Sequence, residues 1–393
     1  MKLDVLFSEL DANDISVFCD MLSYVSPKIL DVEKTEDKAI LEIRDGSEDE
    51  VSSKVEELRS MINSSEMRAK KKVQTKILED HYENEPLNTA PIFEDLIKNG
   101  AVTEMGEGAY MYSGIFLDVF RYFNRKVEEY GRENWPEIKE FEAPVLTKVN
   151  TYTRGLYFEN FPHHIMFQTT LNNDISVLDE FSKHGVADGE IFKNIVKPDL
   201  VLRHAACVPV YPMLEDKVFT PDELPVTTMI SGKCFRNEGH NILEMARVNE
   251  FYMKEYVFVG TQEQVQENLE KGRQLWEYWI NLFGLKCRIE TANDSFFASN
   301  YSKLKIFQML GDSKRELRIL HPSSGTECAA SSTNVHRTHF TKAHNIKVGD
   351  TYCMSGCIAF GIERLTYSLL CQKGLDPSKW DEASRKEVFG EDA

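Results

Sequence analysis

Apolar residues fall in two rhythms over the first 65 positions. "KLDVLF" and "KAILEIRD" alternate with period two, as strands with one buried face do. "DANDISVFCDMLSYV" and "SEDEVSSKVEELRSMI" place apolar residues every three to four positions, as amphipathic helices do. The first helix opens on Asp and Asn residues that suit an N-cap. The second carries acids in its first turn, where they face the positive end of the helix dipole. The pattern predicts a small α/β unit over residues 1–75. The basic run "RAKKKVQTK" at its end reads as a solvated helix end or linker in preference to a contact for an acidic partner.

From about residue 80 the pattern changes scale. "GIFLDVFRYFNRKVEEYGRENW" and "TQEQVQENLEKGRQLWEYWINLFG" are long amphipathic helices, and "EIKEFEAPVLTK" reads as a strand closed by Pro144. Residues 201–212, 226–236, 247–259 and 352–360 alternate with period two. The connections between them vary in length, which fits a mainly antiparallel sheet carrying helices and not a regular βαβ array. The expected fold class is therefore α+β, with one large domain over residues 76–393.

Composition narrows the function. With 42% apolar residues in 393 the chain builds a sizeable core, and its net charge of −18 argues against general binding of a nucleic-acid backbone. The eight cysteines are scattered and form no dense framework, the N-terminus lacks the basic and apolar regions of a signal peptide, and no apolar run reaches the length of a membrane span. The expectation is a cytoplasmic protein with reduced thiols and no membrane partner, in which a functional Cys is a metal ligand or nucleophile.

The chemistry concentrates in Ser231 to Gly260, "SGKCFRNEGHNILEMARVNEFYMKEYVFVG", where charges interrupt two apolar, alternating runs. Residues two apart in a strand share a face, so Arg236 and Glu238 point one way, and Arg247, Phe251 and Glu255 share one parity. Paired as a hairpin, the runs bring two Arg, two Glu and one ring to one side of a sheet. Charges on a partly buried face need partners or a charged ligand. Arg forks suit phosphate or carboxylate, and a Phe face suits a flat base. The residues thus suggest a nucleoside triphosphate site, with a solvent-facing strand of ordinary ion pairs as the alternative.

The order Phe-Arg-x-Glu, loop, Arg-x-x-x-Phe resembles motif 2 of the class II aminoacyl-tRNA synthetases. "AFGIERLTYSLL" resembles motif 3, and the helix before "WPEIKEFEAPVL" with that strand resembles motif 1, the dimer-forming element. Over roughly residues 80–380, "RVNEFYMKEYVFVGT", "ETANDSFFAS", "NVHRTHF" and "CIAFGIERL" narrow the likeness to the amino acid:carrier protein ligases and the atypical, archaeal-type seryl-tRNA synthetases. The resemblance implies a class II catalytic domain, a homodimer, ATP as substrate with Mg²⁺, and a zinc ion held by Cys207, Glu255 and Cys357. Two thiolates and a carboxylate suit a tetrahedral site with one open position. The three stand 48 and 102 residues apart, so spacing by itself reads Cys207 and Cys357 as buried structural thiols, and Cys353 shares the strand parity of Cys357 as a rival ligand.

By motif position the resemblance also implies roles. Arg236 binds the α-phosphate and the substrate carboxylate, Glu238 meets the adenine edge, Phe251 stacks on adenine, and Arg247 and Arg364 hold the β- and γ-phosphates. Glu316 and Glu327 are the candidate Mg²⁺ ligands. Asn334, His336 and His339 either line the amino-acid or pantetheine end or are structural, and His163 and His164 read as structural. The implied reaction is ATP-dependent formation of an aminoacyl adenylate followed by transfer to the phosphopantetheine thiol of a carrier protein. This acceptor is favoured because the N-terminal unit is short, largely acidic and without heptads. The alternatives are zinc-dependent charging of tRNA with serine and a catalytically silent synthetase-like binding protein, the latter disfavoured by the intact set Arg236, Glu238, Arg247, Phe251 and Arg364.

Overall fold

The computed structural model describes residues 1–8, 10, 12–63, 75–185, 190–292 and 313–390. Most of "RAKKKVQTK" and of "ETANDSFFAS", and the residue just before the first helix where its cap was expected, lie outside them.

The N-terminal unit runs β1 (Lys2–Leu6), α1 (Ala12–Leu22), β2 (Ile29–Lys34), β3 (Lys38–Ile43) and α2 (Glu48–Asn63), with an antiparallel sheet in the order β1-β3-β2. The apolar stripes of both helices, including Phe18, Leu22, Val51, Val55 and Ile62, close over Ala39, Leu41 and Ile43 as a separate core. Burying each such large side chain is worth about 1.5–3 kcal/mol. Strand β2 was not foreseen: "ILDVEK" buries only Ile29 and so shows no alternation.

The large part is built on an eight-stranded sheet. Its members are β4 (Ile77–Asp80), β5 (Lys139–Glu142), β6 (Val226–Phe235), β7 (Glu250–Gly260), β8 (Cys287–Thr291), β9 (Lys314–His321), β10 (Thr326–Arg337) and β11 (Met354–Gly361). They stand in the order β4-β8-β9-β10-β11-β7-β6-β5. Every neighbouring pair is antiparallel except β5 with β6. Three long helices, α3 (Gly114–Asn134), α4 (Gln262–Phe283) and α5 (Ile362–Lys373), join the sheet in one apolar core.

Alternation on β7 sorts its residues. Tyr256 and Phe258 pack on Trp135 toward the helices, and Lys254 lies buried on the same side with its ammonium on Asn124 O at 3.1 Å and on Glu128. Phe251, Met253 and Glu255 look to the opposite face, into a cavity. Helix α4 is delimited as its sequence predicts. Thr261 and Gln264 form a reciprocal capping box at its start, and Gly284 adopts the left-handed conformation at its end (φ 57°).

Prolines shape two of the expected strands. Residues 201–212 hold only a short strand, Leu200–Leu202, followed by turns and a one-turn helix, Val210–Met213, around Pro209 and Pro212. In "EIKEFEAPVLTK" β5 closes before Pro144 as expected, and the residues after it form a further short strand, Leu146–Lys148, that pairs with Leu200–Leu202 in a different sheet. The strand expected over 352–360 begins at Met354, after a separate pair of residues, Thr351–Tyr352.

Candidate active site

The cavity on the free face of the sheet measures about 620 Å³. Its floor is β7, β9, β10 and β11, and one wall is the loop joining β6 to β7. The hairpin register runs from Val226↔Val259 to Phe235↔Glu250, so Arg236, Glu238 and Arg247 lie in the connecting loop and not on paired strands as parity assumed. Loop contacts hold them instead. The Arg236 N–H donates to Asn249 O (2.9 Å), the Glu238 N–H to the Asn249 side chain (2.8 Å), and Arg247 bridges back to Leu243. All three still line the cavity with Phe251 and Glu255.

At one end stand Cys207, Glu255 and Cys357, with ligand atoms all within 4.8 Å of one another and all three residues buried. The sheet sets two of them. Cys357 pairs with Val257 and Glu255 with Ala359 across β7 and β11, which puts their side chains on one face. Cys207 arrives from the turn after Leu200–Leu202, and its N–H donates to Glu255 Oε1 at 2.9 Å. The other carboxylate oxygen, Oε2, is buried with no hydrogen-bond partner among the described residues. The Cys207 thiol is drawn down by its contact with Cys357, yet burial and the Glu255 charge leave it raised. The Cys357 thiol is pushed well up by the neighbouring Cys207 thiol, by burial and by Glu255. Three buried acidic groups with an orphaned oxygen and no cation among them fit a soft dication such as zinc, which favours their ionised forms. Asn334 (Nδ2 to Cys357 Sγ, 3.9 Å) and His336 (Nε2 to Cys357 Sγ, 3.6 Å) flank the trio, and Tyr211 meets the other ring nitrogen of His336 at 2.8 Å. Cys353 lies ahead of β11 and outside the trio, its carbonyl accepting from Thr341.

At the other end Asp20 and Glu316 are already paired with bases, and Arg236 and Arg364 rest on backbone carbonyls. The Arg236 guanidinium lies 5.1 Å from the centre of the Phe251 ring, with Nε on His204 O at 3.1 Å. Arg364 donates to Ala329 O at 3.0 Å. The first turn of α5 is pinned by Glu363, whose carboxylate accepts from the Tyr252 N–H (2.8 Å) and from Tyr112 OH (3.2 Å). On β9, Lys314, Glu316 and Arg318 fall on one face and into the cavity. Glu316 takes Lys314 at 3.0 Å and Arg318 at 2.9 Å. Burial raises its carboxyl, but the two cations outweigh this and hold it below the usual range. Glu327 is not in the cavity wall. It sits behind Arg318 (3.4 Å), against Arg288 (3.5 Å) and Tyr82. His339 likewise points away, to Gly155 O at 3.0 Å.

Some lining residues were not expected. The "KRELR" alternation could have shown Lys314 and Arg318. His163 and His164, read as structural, border the cavity with rings 4.0 Å apart. Burial pushes both down to about 3, helped by the His164 charge at His163 and by Arg236 at His164. From the N-terminal unit, α1 contributes Asp20 and the turn after it Tyr24, and nothing in the sequence marks an acid on an amphipathic helix as part of a distant site.

Residues 192–372 match the family described as the tRNA synthetase class II core domain (G, H, P, S and T). Those residues carry a class II tRNA synthetase core, and the chain is a ligase. The chain is 27% identical over 285 residues to amino acid–[acyl-carrier-protein] ligase 1 of Bradyrhizobium diazoefficiens, covering 72% of this chain and 85% of the relative. It is 24% identical over 314 residues to the type-2 serine–tRNA ligase of Methanopyrus kandleri, covering 74% of this chain and 58% of the relative. Among solved structures, the M. kandleri SerRS in complex with A. aeolicus tRNASec superposes with a TM-score of 0.72 at 20% identity, over 99% of this chain and 78% of that one. At that identity the likeness concerns the fold, and it takes in the N-terminal unit as well as the synthetase core. No helix among the described residues is long and apolar enough to cross a membrane.

Proposed function

We propose that the chain activates an amino acid as its aminoacyl adenylate and passes the acyl group to the phosphopantetheine thiol of a carrier protein. The observation that carries the reading is one cavity holding the Cys207–Glu255–Cys357 trio at one end and Arg236, Glu238, Arg247, Phe251 and Arg364 at the other. One oxygen of the substrate carboxylate attacks the α-phosphorus of ATP, the bond to the β-phosphate oxygen breaks, and pyrophosphate leaves. The attacking group is already ionised, so no general base is required. Catalysis is positioning and electrostatics.

Arg236 neutralises charge as it builds at the α-phosphorus, Phe251 offers a stacking face to adenine, and Glu238 meets its edge. Arg247 and Arg364 hold the β- and γ-phosphates. Cys207, Glu255 and Cys357 would hold a zinc ion, which would act as a Lewis acid toward the substrate α-amino group. Of the two acids expected to meet Mg²⁺, Glu316 lines the cavity and is the better candidate, since Glu327 is engaged behind it. Asn334 and His336 border the amino-acid end. Residues 76–393 form the catalytic part and 1–75 an accessory part of a cytoplasmic homodimer.

Amino-acid-dependent ATP–pyrophosphate exchange across a panel of amino acids tests the first step. No exchange with any of them leaves a silent binding protein. Offering the charged enzyme a pantetheinylated carrier or bulk tRNA tests the second. Label on tRNA and none on the carrier overturns the acceptor. That second acceptor is supported by one observation: the superposition on the M. kandleri SerRS extends through the N-terminal unit.

A further inference from the structure

The N-terminal unit forms part of the cavity wall. Tyr24 OH donates to Asn237 O at 2.7 Å, and Asn241 Nδ2 donates to Asp20 O at 2.9 Å. Lys34 Nζ meets Asn241 Oδ1 at 3.0 Å, and Gly239 approaches so closely that a Cβ there would lie 3.2 Å from Ser23 and Tyr24. All of these partners belong to the loop between β6 and β7, the same loop that carries Arg236, Glu238 and Arg247. At the centre of the contact Asp20 takes both ends of the Arg247 fork, Oδ1 to Nη1 at 3.0 Å and Oδ2 to Nη2 at 3.2 Å. The third donor, Nε, faces Glu238 at 3.8 Å, and Lys34 stands 3.2 Å from Asp20.

A guanidinium offers its paired Nη edge to one oxyanion at a time. Here a carboxylate of the chain itself fills that edge, in a cavity whose Arg247 is read as a polyphosphate ligand. We infer that the N-terminal unit gates nucleotide entry: Asp20 occupies Arg247 in place of the β,γ-phosphates of ATP, and binding proceeds by exchange of one oxyanion for the other. The inference rests on the nucleotide reading of Arg247. Lys34 makes the exchange feasible, because Asp20 keeps a cation when it releases the guanidinium. The closed pair also keeps Arg247 from standing as an uncompensated charge when no nucleotide is present, since Glu238 by itself is too distant for a short bridge. AMP has no β,γ-phosphates and binds without the exchange.

Calorimetric titration of the purified full chain with ATP and with AMP decides it. Asp20→Asn, nearly isosteric, tightens ATP by about tenfold and leaves AMP within about twofold. Asp20→Ala moves ATP in the same direction, and Asp4→Asn, which removes an equal charge from an exposed pair with Lys38 outside the cavity, leaves it unchanged. Unchanged or weaker ATP binding in both Asp20 variants overturns the gate, as does equal tightening by Asp4→Asn, which would reduce the effect to net charge. Arg247→Ala weakens ATP in the same titration. If it does not, the nucleotide reading of Arg247 falls and the gate with it, a result distinct from failure of the Asp20 variants alone.

Discussion

The two ends of the cavity solve the same problem, charge in a partly buried place, in opposite ways. At the amino-acid end three acidic groups converge without a cation among them, and one carboxylate oxygen has no partner among the described residues. At the nucleotide end every acid already has a base: Asp20 and Glu238 on Arg247, and Glu316 on Lys314 and Arg318. The first arrangement is incomplete until something positive enters. At the second, Arg236 and Arg364 rest on carbonyl oxygens, while at Arg247 an incoming polyphosphate competes with the chain's own carboxylates. A single cavity thus pairs an end that gains by binding with an end that must exchange partners to bind.

Four perturbations break or sharpen that contrast. The largest is Arg236→Ala, which removes charge compensation at the reacting phosphorus and lowers amino-acid-dependent pyrophosphate exchange by about 10²–10³ without changing the far-UV spectrum. Retained exchange would detach Arg236 from the reaction. Next, the purified chain holds about one zinc per chain by elemental analysis, and Cys207→Ser or Cys357→Ser lowers that content severely. A full complement in both variants removes the metal assignment.

Third, in chelator-treated protein Glu255→Gln leaves the melting temperature unchanged or raises it, because it removes a charge from an uncompensated group while the Cys207 N–H keeps its acceptor. Glu316→Gln lowers the melting temperature by a few degrees, because it strands two cations. Equal shifts in the two variants would erase the contrast. The smallest effect is on pH. His163 and His164 are held down to about 3, and His321 and His344 to about 4, in each case first by burial. The unfolded chain therefore binds protons that the folded chain refuses. Their contribution to stability is whole above about pH 6.5 and is lost as the pH falls toward 4 and below. Thermal melts stepped between pH 7 and pH 4 check the direction, and a rise on acidification contradicts it.

The fold was largely legible because its signals are local. The capping box at Thr261–Gln264, the long apolar stripe of α3 and the alternation of β6, β7 and β11 each declare one element within a few residues. The failures were also local in cause. Pro209 and Pro212 cut a run whose apolar periodicity continued through them, and β2 has too few buried positions to alternate. The site was legible only in part. Parity correctly set Phe251 beside Glu255 on one face of β7, but Arg247 owes its position to loop contacts that carry no period. Cys207, Glu255 and Cys357 became a candidate set through resemblance, since separations of 48 and 102 residues make no recognisable spacing.

The sequence by itself determined the alternation that buries Tyr256 and Phe258 on one side and turns Glu255 to the other, along with the helix ends and the acidic balance of the chain. Those properties depend on neighbours a few residues away. The tertiary structure decided which charges meet. It brought Cys207 from a turn to Glu255 and carried Asp20, 227 residues before Arg247, onto its guanidinium. Electrostatic partnership depends on distance in space, and a linear pattern records only distance along the chain.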